Sequence, residues 1–212
     1  MRKLILIILA VFLLSGNSFS QDIRLSELTP KENNYSFLKK EVKVNTGGLF
    51  IAPVIGFDFP IQEFSNNSNS TFDYGVKLEV AHSIIYPFIV GGIFQYQSHE
   101  GTEELKSANF LTTFRTNITS FGGSIDILLN KYIQSDFTIP FLTLEVKVMN
   151  IEREIAPEQF NPGFSTTDNV IGFTGGLGFT LYIFDIYPTY TYAGDYSSIG
   201  IKTRFRFPII KF

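Results

Sequence analysis

Cysteine is absent from this 212-residue chain. No disulfide framework, thiolate metal site or lipid-modified cysteine is therefore open to it. Charge is scarce as well: Asp, Glu, Lys and Arg make up 17% of the residues, where a soluble domain carries about a quarter. Tryptophan is missing, yet 23 Phe and 10 Tyr leave the chain rich in aromatics. Part of such a surface is expected to face something other than water. Long apolar runs are lacking too. Leu4 to Leu14 is an unbroken run of eleven residues. As a helix rising about 1.5 Å per residue it falls short of a hydrocarbon core about 30 Å thick. No later run is long enough for a membrane helix.

What stands around that first run gives it a different meaning. Arg2 and Lys3 precede it and Ser18-Phe19-Ser20 follows. A basic start, a short apolar stretch and small residues before a cleavage point make residues 1–20 an export signal, with Gln21 as the mature start. Losing Arg2 and Lys3 leaves fifteen basic residues against twenty acidic, a net charge near −5. That argues against nucleic acid, which selects a basic face. Residues 21–46 are polar and mixed in charge, and form a periplasmic lead-in segment. Without a membrane helix, a chain that spans lipid must close as a barrel to satisfy its backbone groups.

From Gly47 onward the apolar pattern has period two, the signature of strands with one apolar face. Strand one is placed at 48–59, with Leu49, Ile51, Ile55, Phe57 and Phe59 on one face. Strand two, 72–83, sets Phe72, Tyr74, Val76, Leu78 and Val80 against Asp73, Lys77 and Glu79. Strands three to eight follow at 86–97, 113–128, 138–150, 170–183, 186–193 and 198–207. Most reach ten residues, the length a membrane strand needs and more than a soluble sandwich uses. The fold class is all-β: an antiparallel up-and-down transmembrane barrel over 47–212, of eight strands, or ten if Glu41–Val44 contributes.

The connections alternate. Those after strands one, three and five are long and polar (60–71, 98–112 and 151–169), and those after strands two, four and six are short. Long outer loops and short periplasmic turns have this arrangement. Pro87, Pro140 and Pro188 are read at strand starts and Pro208 at a strand end, all on the periplasmic rim, because proline gives the ladder no donor. Pro53 is expected to sit at a bulge. Glycine pairs at Gly91-Gly92, Gly122-Gly123 and Gly175-Gly176 supply bending points for a tight closure. Two aromatic girdles are expected, from Phe57, Phe59, Phe72, Tyr74, Phe94 and Tyr96 above, and Tyr86, Phe88, Phe141 and Phe184 below.

The polar faces carry the candidate functional residues. Asp58, Asp73, Glu79, Asp126 and Glu145 are acidic; Lys77, Lys147, Lys202, Arg204 and Arg206 are basic. An eight-stranded lumen is just wide enough to be filled by side chains, so these charges are expected to pair into a plug. A selective polar channel is the alternative. Other chemistry is poorly supported. His82 is placed at the periplasmic end of strand two and His99 in an outer loop, too far apart to share a metal. Ser83 follows His82, but strand neighbours point to opposite faces, which disfavours a hydrolase pair. Gly175-Gly176-Leu177-Gly178 lacks the Lys-Ser/Thr and the helix of a phosphate loop. Glu152, Glu154, Glu158 and Asp168 match no calcium-loop spacing.

The signal ending at Ser20-Gln21, the Gly-Gly-rich alternating strands and the terminal Phe212 resemble the porin-family, PorT-like small outer-membrane barrels of Bacteroidota, and in architecture the OmpX-like eight-stranded barrels. Pro208 departs from that pattern, implying a bulge or a short tail before Phe212. The resemblance implies an outer-membrane location, recognition by the barrel-assembly machinery through a final Phe, and a structural, secretion-associated or surface-interaction role. A non-enzymatic scaffold or subunit of an envelope protein complex is expected, embedded in outer-membrane lipid, with no cofactor. A narrow diffusion pore and an enzyme acting on lipid are the other readings.

Overall fold

A computed structural model describes residues 47–133, 138–181 and 183–211. The export signal, the lead-in segment with Glu41–Val44, and Phe212 lie outside the described residues. Strands β1 (Gly47–Pro60), β2 (Thr71–His82), β3 (Phe88–Glu100), β4 (Thr113–Leu128), β5 (Ile139–Ala156), β6 (Thr167–Leu181), β7 (Phe184–Tyr192) and β8 (Ser198–Phe205) pair with their sequence neighbours, all antiparallel. β8 also pairs with β1, and β1 with β2, so the sheet closes on itself as an eight-stave up-and-down barrel. A ninth segment, β9 (Phe207–Lys211), continues β8 along the lower part of β1.

Pro53 and Pro188 behave differently from the sequence expectation, whereas the bulge expected beside Pro208 is present although the strand runs on past it. Pro53 causes no bulge: β1 keeps one register against β2 from Gly47 to Asp58, and only the ladder toward β8 and β9 is interrupted beside it. A missing N–H removes a rung without requiring an extra residue. Pro188 is mid-strand in β7, where the pairing with β6 likewise skips two rungs and resumes in register. Pro208 does not end the barrel wall. It pairs with Phe50, and the register shift falls just beyond it, where Ile210 pairs with Leu49 and Ile209 is the extra residue.

The outward face forms an apolar belt. Phe72, Phe94, Phe121, Val148 and Ile171 all point outward and are well exposed. Across β3 to β6 the belt ends at one aligned row. Tyr96 pairs with Thr119, Thr119 with Asn150, and Asn150 with Asn169. Above that row the outward positions turn polar or charged, as at Asn117, Arg115, Glu152 and Glu154, while inward positions turn apolar, as at Phe114, Ile118 and Ile151. The strands run past the belt: β5 reaches Ala156 and β3 reaches Glu100, so the connections assigned to 98–112 and 151–169 are shorter than expected. Arg115 holds this extension across three strands, bonding Glu100 at 2.6 Å and Glu154 at 3.4 Å.

Two short helices shape the outer end. α1 (Glu63–Asn67) turns Phe64 into the barrel mouth, where it is buried. α2 (Glu103–Ala108) starts at Thr102, whose hydroxyl accepts from the Leu105 N–H at 3.3 Å. It ends in a Schellman pair: Leu111 N–H donates to Lys106 O at 2.8 Å and Phe110 N–H to Ser107 O at 3.4 Å. The left-handed position of that motif usually holds glycine, but here it is Phe110, at φ 55°. For a residue with a side chain this conformation costs about 1–2 kcal/mol.

Glycine is required where the wall closes inward. A Cβ on Gly122 would lie 1.9 Å from the Val146 carbonyl oxygen. On its outward neighbour Gly123 the nearest atom would be 4.0 Å away, so packing within the barrel leaves that position free.

Candidate functional site

Period-two alternation sends every second residue of each strand into the lumen. There it gathers all ten charged residues expected from the sequence, and the side chains sort into layers. The lowest layer is built on Arg204 and Arg206. Arg204 reaches Glu79, Asp126 and Asp185, each at 2.6 Å. Arg206 reaches the same three carboxylates at 2.7, 2.6 and 3.1 Å. Each carboxylate is thus held between two guanidinium forks, the geometry that makes such pairs strong. Phe141 and Tyr187 flank the Arg204 guanidinium at 5.2 and 5.4 Å from their ring centres.

The middle layer joins Lys77 to Glu145 at 2.6 Å and Lys147 to Glu145 at 3.2 Å. Above it, Lys202 contacts Asp73 and lies 3.9 Å from Asp58. Gln95 ties these two layers together: it accepts from Lys147 at 2.7 Å and donates to Asp73 at 3.1 Å. Gln97 and Ser198 donate to Asp58 at 2.8 and 3.2 Å. Counting charges, the layers carry −1, +1 and −1 from bottom to top. Nine of the ten side chains are buried, and Arg206 is only 11% exposed. Charges so far from water are tolerable only because each has an opposite partner.

The upper lumen is lined by different residues. His99 lies inside β3, not in an outer loop, because that strand runs on to Glu100 and its inward parity passes through Gln95, Gln97 and His99. Its ring nitrogens face Asn69 O at 2.8 Å and Gln97 Oε1 at 3.4 Å. Phe64 packs edge-on to His99 and to Tyr196, with ring centres 4.8 and 5.7 Å away. Ile118, Met149, Ile151 and Ala193 complete this apolar cap. Arg153 lies between the Phe164 and Tyr196 rings, 5.3 Å from each, and donates to the Tyr196 hydroxyl at 2.7 Å. Tyr196 in turn donates to Asp168 at 3.0 Å, and burial raises the pKa of its hydroxyl. A cavity of about 130 Å³ remains beside Phe64, Thr116 and Arg153.

Sequence reading missed three contributors. Asp185 falls between strands six and seven as the sequence places them, but β7 begins at Phe184, and parity with Tyr187 and Thr189 points Asp185 inward. Phe141 was placed in the lower girdle; it shares a face with Thr143 and Glu145 and is fully buried in the lumen. The apolar cap is missing from the sequence reading because strands three, five and six stop at 97, 150 and 170, at the row, and the residues beyond fall to the outer connections. The other chemistry does not converge. His82 closes β2 at the opposite end of the wall from His99. Glu154 is engaged by Arg115 and Asp168 by Tyr196. Among the described residues no group of three His, Asp or Glu side chains is placed to hold a metal ion.

Neither a protein-family model nor a curated protein matches the sequence. Solved structures do match in shape. Neisserial surface protein A superposes with a TM-score of 0.51 at 11% identity, covering 76% of this chain and 97% of that one. The chain has the fold of a small outer-membrane β-barrel. The attachment invasion locus protein Ail of Yersinia pestis matches with a TM-score of 0.43 at 14% identity, over 77% of this chain and 99% of that one. The N-terminal β-barrel domain of Pseudomonas aeruginosa OprF gives 0.43 at 12% identity, over 77% and 98%. At these identities the likeness concerns the fold and leaves the role of the barrel to its own residues.

Proposed function

We propose that this protein is a closed, non-enzymatic scaffold of the bacterial outer membrane, which holds a rigid outer surface in place and passes no solute. The observation that carries this reading is the filled lumen. Three ion-paired layers of alternating net charge lie beneath an apolar cap centred on Phe64. A permeating cation meets the +1 layer, an anion meets the −1 layers, and either must shed water at the cap. The apolar belt supports a place in lipid, with the extended ends of β3 to β6 outside the cell as the contact surface of an envelope assembly. The porin-family reading of the sequence supports that location. Purified barrel in planar lipid bilayers tests the closed lumen. No steady conductance steps are expected. Reproducible single-channel steps that vanish when the Arg204 layer is altered would make it a narrow pore instead.

A further inference from the structure

We propose that Phe110 and Phe160 form a docking surface at the outer end of the barrel for a protein segment that presents apolar side chains flanked by lysine or arginine. The proposal rests on reading the outer end as a contact surface, and names what that surface recognises.

Phe110 is 77% exposed, although its backbone is held in the left-handed conformation that a glycine would adopt at no cost. The barrel gains little from it. Its ring packs on Phe160 of the 157–166 connection, with centres 6.1 Å apart, and Phe160 is itself 44% exposed. The neighbouring residues force the arrangement. Leu111 is buried, and Thr112 donates from both its N–H and its hydroxyl to Ala156 O, at 2.8 and 3.1 Å, which ties the two connections together. A strained backbone presenting a bulky aromatic to solvent recurs at binding sites, and paired exposed aromatics are the usual centre of an interface.

The charge around the pair defines the partner. The connections 101–112 and 157–166 carry three acidic residues, Glu103, Glu104 and Glu158, and one basic residue, Lys106, which pairs with Glu103 at 2.6 Å. Glu104 on α2 and Glu158 beside Phe160 ion-pair with no described residue. Two carboxylates without a cationic partner on the connections that carry the apolar pair favour a cationic partner over the phosphates of a lipid surface. The pair also lies above the row where the belt ends, out of reach of the hydrocarbon.

Full-length barrel in phosphatidylcholine nanodiscs is titrated with a fluorescent peptide of alternating lysine and leucine, and with its glutamate–leucine counterpart. The lysine peptide is expected to bind at least about ten-fold more tightly. Phe110→Gly and Phe160→Ala should each weaken it about ten-fold, and Glu104→Gln with Glu158→Gln should flatten its salt dependence. Phe110→Gly suits its backbone position, so lost binding is not lost folding; unchanged mobility of the folded band on unheated gels verifies this. Equal binding of the two peptides, or full binding by both aromatic variants, overturns the proposal. Capture of phosphatidylglycerol vesicles in place of the peptide replaces it with a lipid-binding surface. None of these outcomes bears on conductance, which tests the closed lumen separately.

Discussion

Replacing Arg204 by methionine separates a structural lumen network from incidental polar packing. Arg204 is fully buried and contacts Glu79, Asp126 and Asp185 at 2.6 Å each. Methionine keeps much of the bulk and the apolar contact with Phe141 and Tyr187, so the change is mainly one of charge. The lowest layer goes from −1 to −2 with only Arg206 to hold three carboxylates. Removing one partner from a buried pair costs about 3–5 kcal/mol, because the remaining charge stays out of water. The assay is the urea unfolding midpoint of the refolded barrel in lipid vesicles, followed by loss of β-sheet circular dichroism. Asp185→Asn in the same background returns the layer to −1. The double variant should therefore recover part of the loss, with a coupling of about 1–3 kcal/mol. A cost below about 1 kcal/mol for Arg204→Met, or strict additivity with Asp185→Asn, refutes the argument that paired charge stabilises this lumen.

Other substitutions probe the wall, the cap and the strained turn. Gly122→Ala forces a Cβ to within 1.9 Å of the Val146 carbonyl and should lower the folded yield on unheated gels. Gly123→Ala, with 4.0 Å of clearance, should leave that yield unchanged. Phe64→Ala should destabilise the outer end by about 3 kcal/mol, seen as faster hydrogen exchange at His99 and Ile118, while conductance stays absent because the ion-paired layers remain. Phe110→Gly should raise stability by about 1 kcal/mol by releasing the left-handed strain, read as a higher urea midpoint.

The barrel and its inward charges were legible because alternation is a purely local signal. Once Val76 and Leu78 face out, Asp73, Lys77 and Glu79 must face in, and eight such stretches separated by alternating long and short connections leave little topological choice. The errors came where a local signal was set against the parity of its own strand. Phe141 was assigned outward for being aromatic near a strand end, although Thr143 and Glu145 place it inward. Asp185 falls in the gap between the expected strands six (170–183) and seven (186–193), although it belongs to β7. His99, Ile118 and Ile151 lie above the row of Tyr96, Thr119, Asn150 and Asn169, where the surroundings change and the same period carries the opposite preference. Which acid meets which base was not readable at all: Asp126 and Arg206 are 80 residues apart, and only barrel closure brings them together.

The inversion at that row means the molecule is built for two solvents, and its two halves answer to different forces. Below the row no water lies outside the wall to drive apolar burial, and cohesion comes from electrostatics inside. Above it, Phe64, Ile118 and Ile151 belong to an ordinary hydrophobic core that is surrounded by water. Hydrophobic stabilisation weakens under urea, and the cap stands in water where urea reaches it. Mild denaturant should therefore loosen this end of the barrel first, while the wall below the row stays folded.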